Sequence, residues 1–204
     1  MLGCFVSGRM LLALSELRSF TVMAADGEGG SIHDFFLDDA TWRVTHVAIA
    51  TGTWLFGHKV LVRAQELGLP DLRREQFRLE WSHDQIKAMP PYTAPPGRSM
   101  TEFAEWQVEG PGVNAGGAPE YSITDFLTEG CWRVRYLCVE VGDVISPRKR
   151  AVPVQRLAPP HTDMRILETP LVKSVIQNGP EIGALRYVNR GVQLKLEKYY
   201  ASFG

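Results

Sequence analysis

The sequence predicts a mainly β protein made of two small units in tandem, each followed by short helical segments. The first observation behind this is a repeat. Shifted by 90 residues, 42–67 meets 132–157 with eight identities in 26 positions, where composition alone gives roughly two. Trp42, Arg43, Val44, Gly52, Lys59, Val62, Gln65 and Leu67 fall on Trp132, Arg133, Val134, Gly142, Lys149, Val152, Gln155 and Leu157. SIHDF (31–35) meets SITDF (122–126) at an offset of 91, which also sets Leu17 and Val22 on Val108 and Val113. The second observation is an apolar period near two, in short runs broken by Gly, Pro and Asp, which is the pattern of strands. The third is a short helical signal at the end of each unit.

Taken in order, the first unit is expected to carry strands at 17–23, 30–37, 42–51, 59–62 and 77–81, with DGEGG (26–30) and LDDA (37–40) as turns. Ser82 stands three residues before Gln85, a capping box opening a helix that Pro90 and Pro91 end. The segment 98–106, RSMTEFAEW, reads as a connecting helix before a Pro- and Gly-rich linker. The second unit repeats the order with a weaker first strand, because Gly110, Pro111 and Gly112 interrupt it. Thr169 and Pro170 open its helix and Gly179 ends it. Val188, Val192, Leu196, Tyr199 and Phe203 then follow at helical spacing. The boundaries predicted are 10–92 for the first unit, 93–106 for the connector, 107–182 for the second unit and 183–204 for a C-terminal helix. In the central strand Val44 and Ala48 lie on one parity and Val47 and Ile49 on the other, so both faces are apolar and cover is expected on both.

Bulk properties exclude several classes. Apolar residues make up 45% and charged residues 22% of 204, and the net charge is -1, which leaves no global field for nonspecific nucleic-acid or membrane-surface binding. Three cysteines, Cys4, Cys131 and Cys138, form neither an even set nor a CxxC pair; a reducing cytoplasm is the simpler setting. The apolar start MLGCFVSGRMLLAL is split by Arg9 and falls short of the ~20 residues a spanning helix needs, so no transmembrane segment is expected. The patterned sequence begins just after Met10, a candidate start.

The stretches DGEGGSIHDF (26–35), DDATWRVTHVAIATGTWLFGHKVLV (38–62), SITDF (122–126) and CWRVRYLCVEVG (131–142) resemble the PRC-barrel family over nearly the whole chain from Leu11 onward. The resemblance implies two small PRC-like β-barrels in tandem, used as binding or assembly modules, as in the cytoplasmic part of the photosynthetic reaction-centre H subunit and in a ribosome maturation factor. The residues that mark the fold on this reading are Asp26, Gly27, Gly30, Asp34, Trp42, Arg43, Asp125, Trp132 and Arg133. The second unit is the degenerate copy, with Gly117 and Ala118 where the family has Asp and Gly.

Candidate chemistry is sparse. The five histidines, His33, His46, His58, His83 and His161, show no metal-ligand spacing, and no nucleophile or phosphate-loop motif occurs. No catalytic residue, metal or cofactor is therefore expected. Asp38 and Asp39 read as turn acids, and Asp34 beside Arg43, with Asp125 beside Arg133, reads as a cross-strand ion pair. Trp54, Leu55, Phe56 and His58 do not recur in the second unit and form the candidate interface for a protein partner or a second copy. Arg148, Lys149 and Arg150, with Tyr121 or Tyr136 to stack, form a candidate basic patch for RNA or the ribosome. The leading expectation is a cytoplasmic, non-enzymatic scaffold or adaptor; the alternatives are a ribosome- or RNA-associated role and association with a photosynthetic membrane complex.

Overall fold

A computed structural model of the chain describes residues 10–52, 58–90, 92, 97–111, 121–130, 132–142, 145, 147–183 and 187–203. The fold is mainly β, with 44% strand and 22% helix. It divides into two compact units: Leu14–Met100, and a second that runs from Thr101 onward and takes in the early strand β1 (Leu11–Ala13). Among the described residues no helix is long and apolar enough to cross a membrane.

In the first unit the order is α1 (Leu14–Leu17), β2 (Thr21–Ala24), β3 (Gly27–Asp38), β4 (Arg43–Ala50), β5 (Lys59–Arg63), β6 (Gln76–Arg78), α2 (His83–Lys87) and β7 (Arg98–Ser99). β6 lies parallel to β2, an antiparallel ladder runs β2–β3–β4–β5, and β7 adds to β3. The sheet is not closed. β5 and β6 are joined beyond their ends by one isolated bridge, Leu67 to Leu79, and by the Gly68 N–H donating to Arg78 O at 2.8 Å. Phe20, Phe35, Leu37, Val47, Phe77, Leu79 and Ile86 are buried, with Phe20 and Phe77 ring centroids 5.7 Å apart.

After α3 (Met100–Phe103) the second unit contributes β8 (Gln107–Glu109), β9 (Tyr121–Glu129), β10 (Arg133–Val141), β11 (Arg148–Pro153), β12 (Ile166–Glu168), α4 (Lys173–Gln177), β13 (Tyr187–Val188) and α5 (Arg190–Ala201). Its pairing repeats the first: β12 parallel to β8, then an antiparallel ladder β8–β9–β10–β11. The expected apolar cover of the central strands is present, since Val44, Val47, Ala48 and Ile49 of β4 and Val134, Leu137, Cys138 and Val139 of β10 are all buried.

The offset at the start of the repeat differs from the expected 91. Val22 pairs with Phe77 as Val108 pairs with Leu167, and the Ile32 N–H donates to Phe20 O as that of Ile123 does to Trp106 O. Val22 therefore corresponds to Val108, not Val113, and Leu17 to Phe103, both at the end of one-turn helices rather than on a strand. The linker after Gly110 is longer than the DGEGG turn, which shifts the alignment there. A second consequence concerns the leading strands. β1, which runs straight into α1 of the first unit, pairs with Leu127 and Thr128 of β9. β7, which runs straight into α3, pairs at the corresponding residues of β3, Phe36 and Leu37. Each sheet is thus completed by the strand that precedes the other repeat.

Recurring polar residues are absorbed by this architecture. The β3–β4 register skips His33 and the β9–β10 register skips Thr124, so both strands bulge just before the recurring aspartate. Asp34 then accepts the Phe35 N–H at 2.8 Å and Asp125 the Phe126 N–H at 2.7 Å, both carboxylates almost fully buried. The expected Asp34–Arg43 and Asp125–Arg133 pairs are not what the register sets together: Arg43 lies opposite Asp38, and Arg133 opposite Glu129. Trp42 and Trp132 both hold left-handed backbone, φ 52° and 59°. The capping box forms at Ser82 and Gln85, whereas α4 starts at Lys173 after Val172, with no side-chain cap; Thr169 instead accepts the Leu171 N–H.

Candidate functional site

The first unit contains a cavity of about 380 Å³ built from three pieces of chain. His46 on β4 and Arg63 on β5 are direct partners in the ladder, and Leu61 lies two residues back on the same face. Glu66 comes from the 3-10 turn that ends β5. Trp81 enters just before the capped start of α2, and Met89 and Pro90 just after its end.

The short helix is held firmly, which fixes the last three. Its first N–H, that of His83, donates to both carboxylate oxygens of Asp26 (3.0 and 3.1 Å), and the Ala25 N–H donates to Trp81 O at 2.9 Å. His83 Nδ1 lies 2.8 Å from Asp26 and Nε2 lies 3.0 Å from Glu28 O. Ile86 is buried beneath the helix. The DGEGG turn therefore does more than reverse the chain: through Asp26 it places Trp81 and Met89.

Chemically the cavity has an apolar wall of Trp81, Leu61 and Met89, all half-buried, and a polar side on which Arg63 and Glu66 are exposed. The His46 imidazole is held below its ordinary pKa, first because burial strips water from the charged ring and then because the Arg63 guanidinium is close. Its Nδ1 lies 3.1 Å from Thr45 Oγ1. A neutral imidazole, an indole face and a polar side that carries both a cation and an anion, Arg63 and Glu66, suit recognition of a molecule with an apolar body and polar groups. Among the described residues the lining includes no Ser, Cys or Lys.

The residues singled out from sequence fall elsewhere. Trp54, Leu55 and Phe56 lie outside the described residues. His58 is exposed, and its carbonyl accepts both the N–H and the hydroxyl of buried Thr51 (3.0 and 2.7 Å), which pins the base of that segment. The candidate basic patch is divided by burial. Arg148 and Lys149 are exposed, but Arg150 is buried on β11, where it donates to Gln177 O and Lys149 O and pairs with Glu181. Tyr121 and Tyr136 are buried too, so neither offers a stacking face. Asp38 accepts the Ala40 N–H and the Thr41 hydroxyl as a turn acid, and Asp39 pairs with Arg98 at 2.8 Å. Among the described residues no three His, Cys, Asp or Glu side chains gather to hold a metal.

Sequence reasoning missed the cavity, although a signal for it was present. At the offset of 90, His46, Leu61, Arg63, Glu66, Trp81 and Met89 meet Tyr136, Ala151, Pro153, Arg156, Leu171 and Gly179, so among the described residues six of the seven lining positions do not recur. No protein-family model matches the chain, and no curated protein matches it in sequence.

Proposed function

We propose that the chain is a non-enzymatic binding and assembly module, two PRC-like barrels in tandem, and that the first repeat carries its recognition surface for a protein partner. The observation that carries this reading is the cavity beside β4 and β5, open in the first unit and lined by residues the second does not keep. The recurring polar residues are spent on bulges, turns and helix starts, which leaves the non-recurring ones for use. Trp54, Leu55 and Phe56 belong to the same non-recurring set.

The test is capture from the native cell with wild type, Trp54→Ser and Trp81→Ser as baits, each variant first shown to be folded by its thermal transition. The expected result is a partner held by wild type and lost by Trp81→Ser. Identical captured material and identical solution size for all three baits would refute the assignment.

A further inference from the structure

We infer that the first repeat binds a dianionic phosphate group, carried on a soluble phosphate monoester, at Arg18, His33 and Lys59. None of the three is among the residues lining the cavity, so the site goes beyond the protein-partner reading and does not rest on it.

His33 is the residue that the β3–β4 register skips, which sets it outside the alternation of its strand. Its Nε2 lies 2.7 Å from Lys59 Nζ at the start of β5. An ammonium can only donate, so Nε2 accepts and the neutral ring keeps its proton on Nδ1. In keeping with that form, the ring is held below its ordinary pKa, first by burial and then by Lys59. Arg18, just past the end of α1, donates its Nε–H to His33 O at 3.1 Å. That bond fixes the guanidinium and leaves its two Nη groups without a protein partner among the described residues. Neither cation is paired with a carboxylate among those residues. Asp34, the acid next to the ring, is almost fully buried and accepts the Phe35 N–H. Arg18 and His33 are half-buried and Lys59 is exposed, so solvent reaches the cluster.

The second repeat shows what the fold itself requires at this place. Lys149 stands for Lys59, but Thr124 stands for His33 and donates its hydroxyl to Cys138 O. Leu17 corresponds to Phe103, which sets Ala104 at the position of Arg18. Directly opposite Lys149 lies Glu140, whereas directly opposite Lys59 lies Ala50. The second copy therefore sets one cation beside one acid. The first drops the acid and adds a guanidinium and an imidazole, in a chain whose net charge is only -1.

The balance of charge names the class of ligand. One carboxylate would neutralise only one of two cations that come from separate elements. A phosphate monoester carries close to two negative charges, and its three free oxygens can accept from the ammonium, the guanidinium and the imidazole Nδ1–H together.

The experiment uses the full chain at constant ionic strength, so that shifts report site binding rather than screening. Inorganic phosphate and O-phospho-L-serine are titrated in turn while the His33 ring is followed by NMR, each variant first shown to be folded by its thermal transition. The expected result is a saturable shift produced by O-phospho-L-serine, with the His33 pKa rising as the dianion offsets Lys59. Lys59→Gln, Arg18→Gln and Ala50→Glu, the last installing the acid of the second repeat, should each weaken binding at least tenfold. Lys59 is exposed, so its variant keeps the test available should Arg18→Gln fail to fold. Arg148→Gln, at an exposed cation of the second repeat, should leave binding unchanged.

No saturable shift up to tens of millimolar of either probe overturns the inference, as does unchanged affinity in Lys59→Gln and Ala50→Glu. Acetate bound as tightly as O-phospho-L-serine would replace phosphate recognition by a general attraction for anions. Binding of inorganic phosphate without the ester would assign the site to free phosphate. Sedimentation with phosphatidic acid vesicles, with neither soluble probe bound, would assign it to a membrane surface.

Discussion

Leu11→Ala tests whether the exchange of leading strands is real, because it places the damage far from the mutation in sequence. Leu11 is fully buried on β1, which pairs with β9 and β13 of the second unit although it precedes the first repeat. The substitution removes three carbons, and at ~0.8 kcal/mol each the transfer cost alone is about 2.4 kcal/mol. The residual cavity can carry the total toward about 5 kcal/mol. A loss of 2.4 kcal/mol raises the opening equilibrium roughly 60-fold. Hydrogen exchange read by mass spectrometry should show that loss of protection in peptides covering Leu127, Thr128 and the β10 ladder. Peptides covering β2, β3 and β6 should change far less. If the faster exchange instead appears in residues 17–80, with 121–141 unchanged, β1 does not belong to the second unit and the exchange is wrong.

Two further outcomes follow from local geometry. Gly30 has φ +134°, and a Cβ there would lie 2.2 Å from Ala50 O, whereas Gly52, at φ +64°, has open space around it. Gly30→Ala should therefore lower the unfolding free energy, read from denaturant titration, by more than the ~1–3 kcal/mol of a strained backbone alone, and Gly52→Ala by less; equal losses would contradict the close approach of β3 and β4. His33 and His46 both have pKa values lowered in the fold, chiefly by burial. The unfolded chain thus takes up their protons first, so their contribution is complete above about 6.5, falls as the pH drops through the folded values, and levels off below them. Urea midpoints at pH 8 and pH 5 should differ less in His33→Gln/His46→Gln than in wild type, and an unchanged difference would refute this source of pH dependence.

Much of the scaffold was legible because the relevant forces are local. The capping box at Ser82, the strand periods of β4, β5, β9 and β10, and the helix near the C-terminus all depend on residues within a few positions of one another. What was not legible depends on partners distant in sequence. LLA at 11–13 is apolar whether it continues into its own repeat or joins the other, and only pairing decides. Asp34 and Asp125 were recognised as a recurring pair, but the bulge that turns each carboxylate onto the next N–H has no mark in composition. Arg150 follows two exposed basic residues, and only its place at the start of the buried run that ends β11, together with the carbonyl of Gln177, shows that it points inward.

Duplication separates what the fold requires from what one copy is used for, and the separation is sharper in conformation than in side chains. Glu75 and Arg165 have opposite charge but occupy corresponding turns with the same φ of 56°, so the turn is kept while the residue is free. The cavity positions behave in the opposite way: the backbone around them is kept and the side chains change together. In the second copy the exchange to Ala151 and Gly179 admits Tyr200, whose burial alongside Leu196 contributes about 1.5–3 kcal/mol for each such side chain. The first copy forgoes that stability and leaves Trp81, Leu61 and Met89 half-wet, with Arg63 at the rim. The side chains left for a use particular to the first copy are therefore the ones at the cavity that do not recur, Trp81, Leu61 and Met89 on its apolar wall and His46, Arg63 and Glu66 on its polar side.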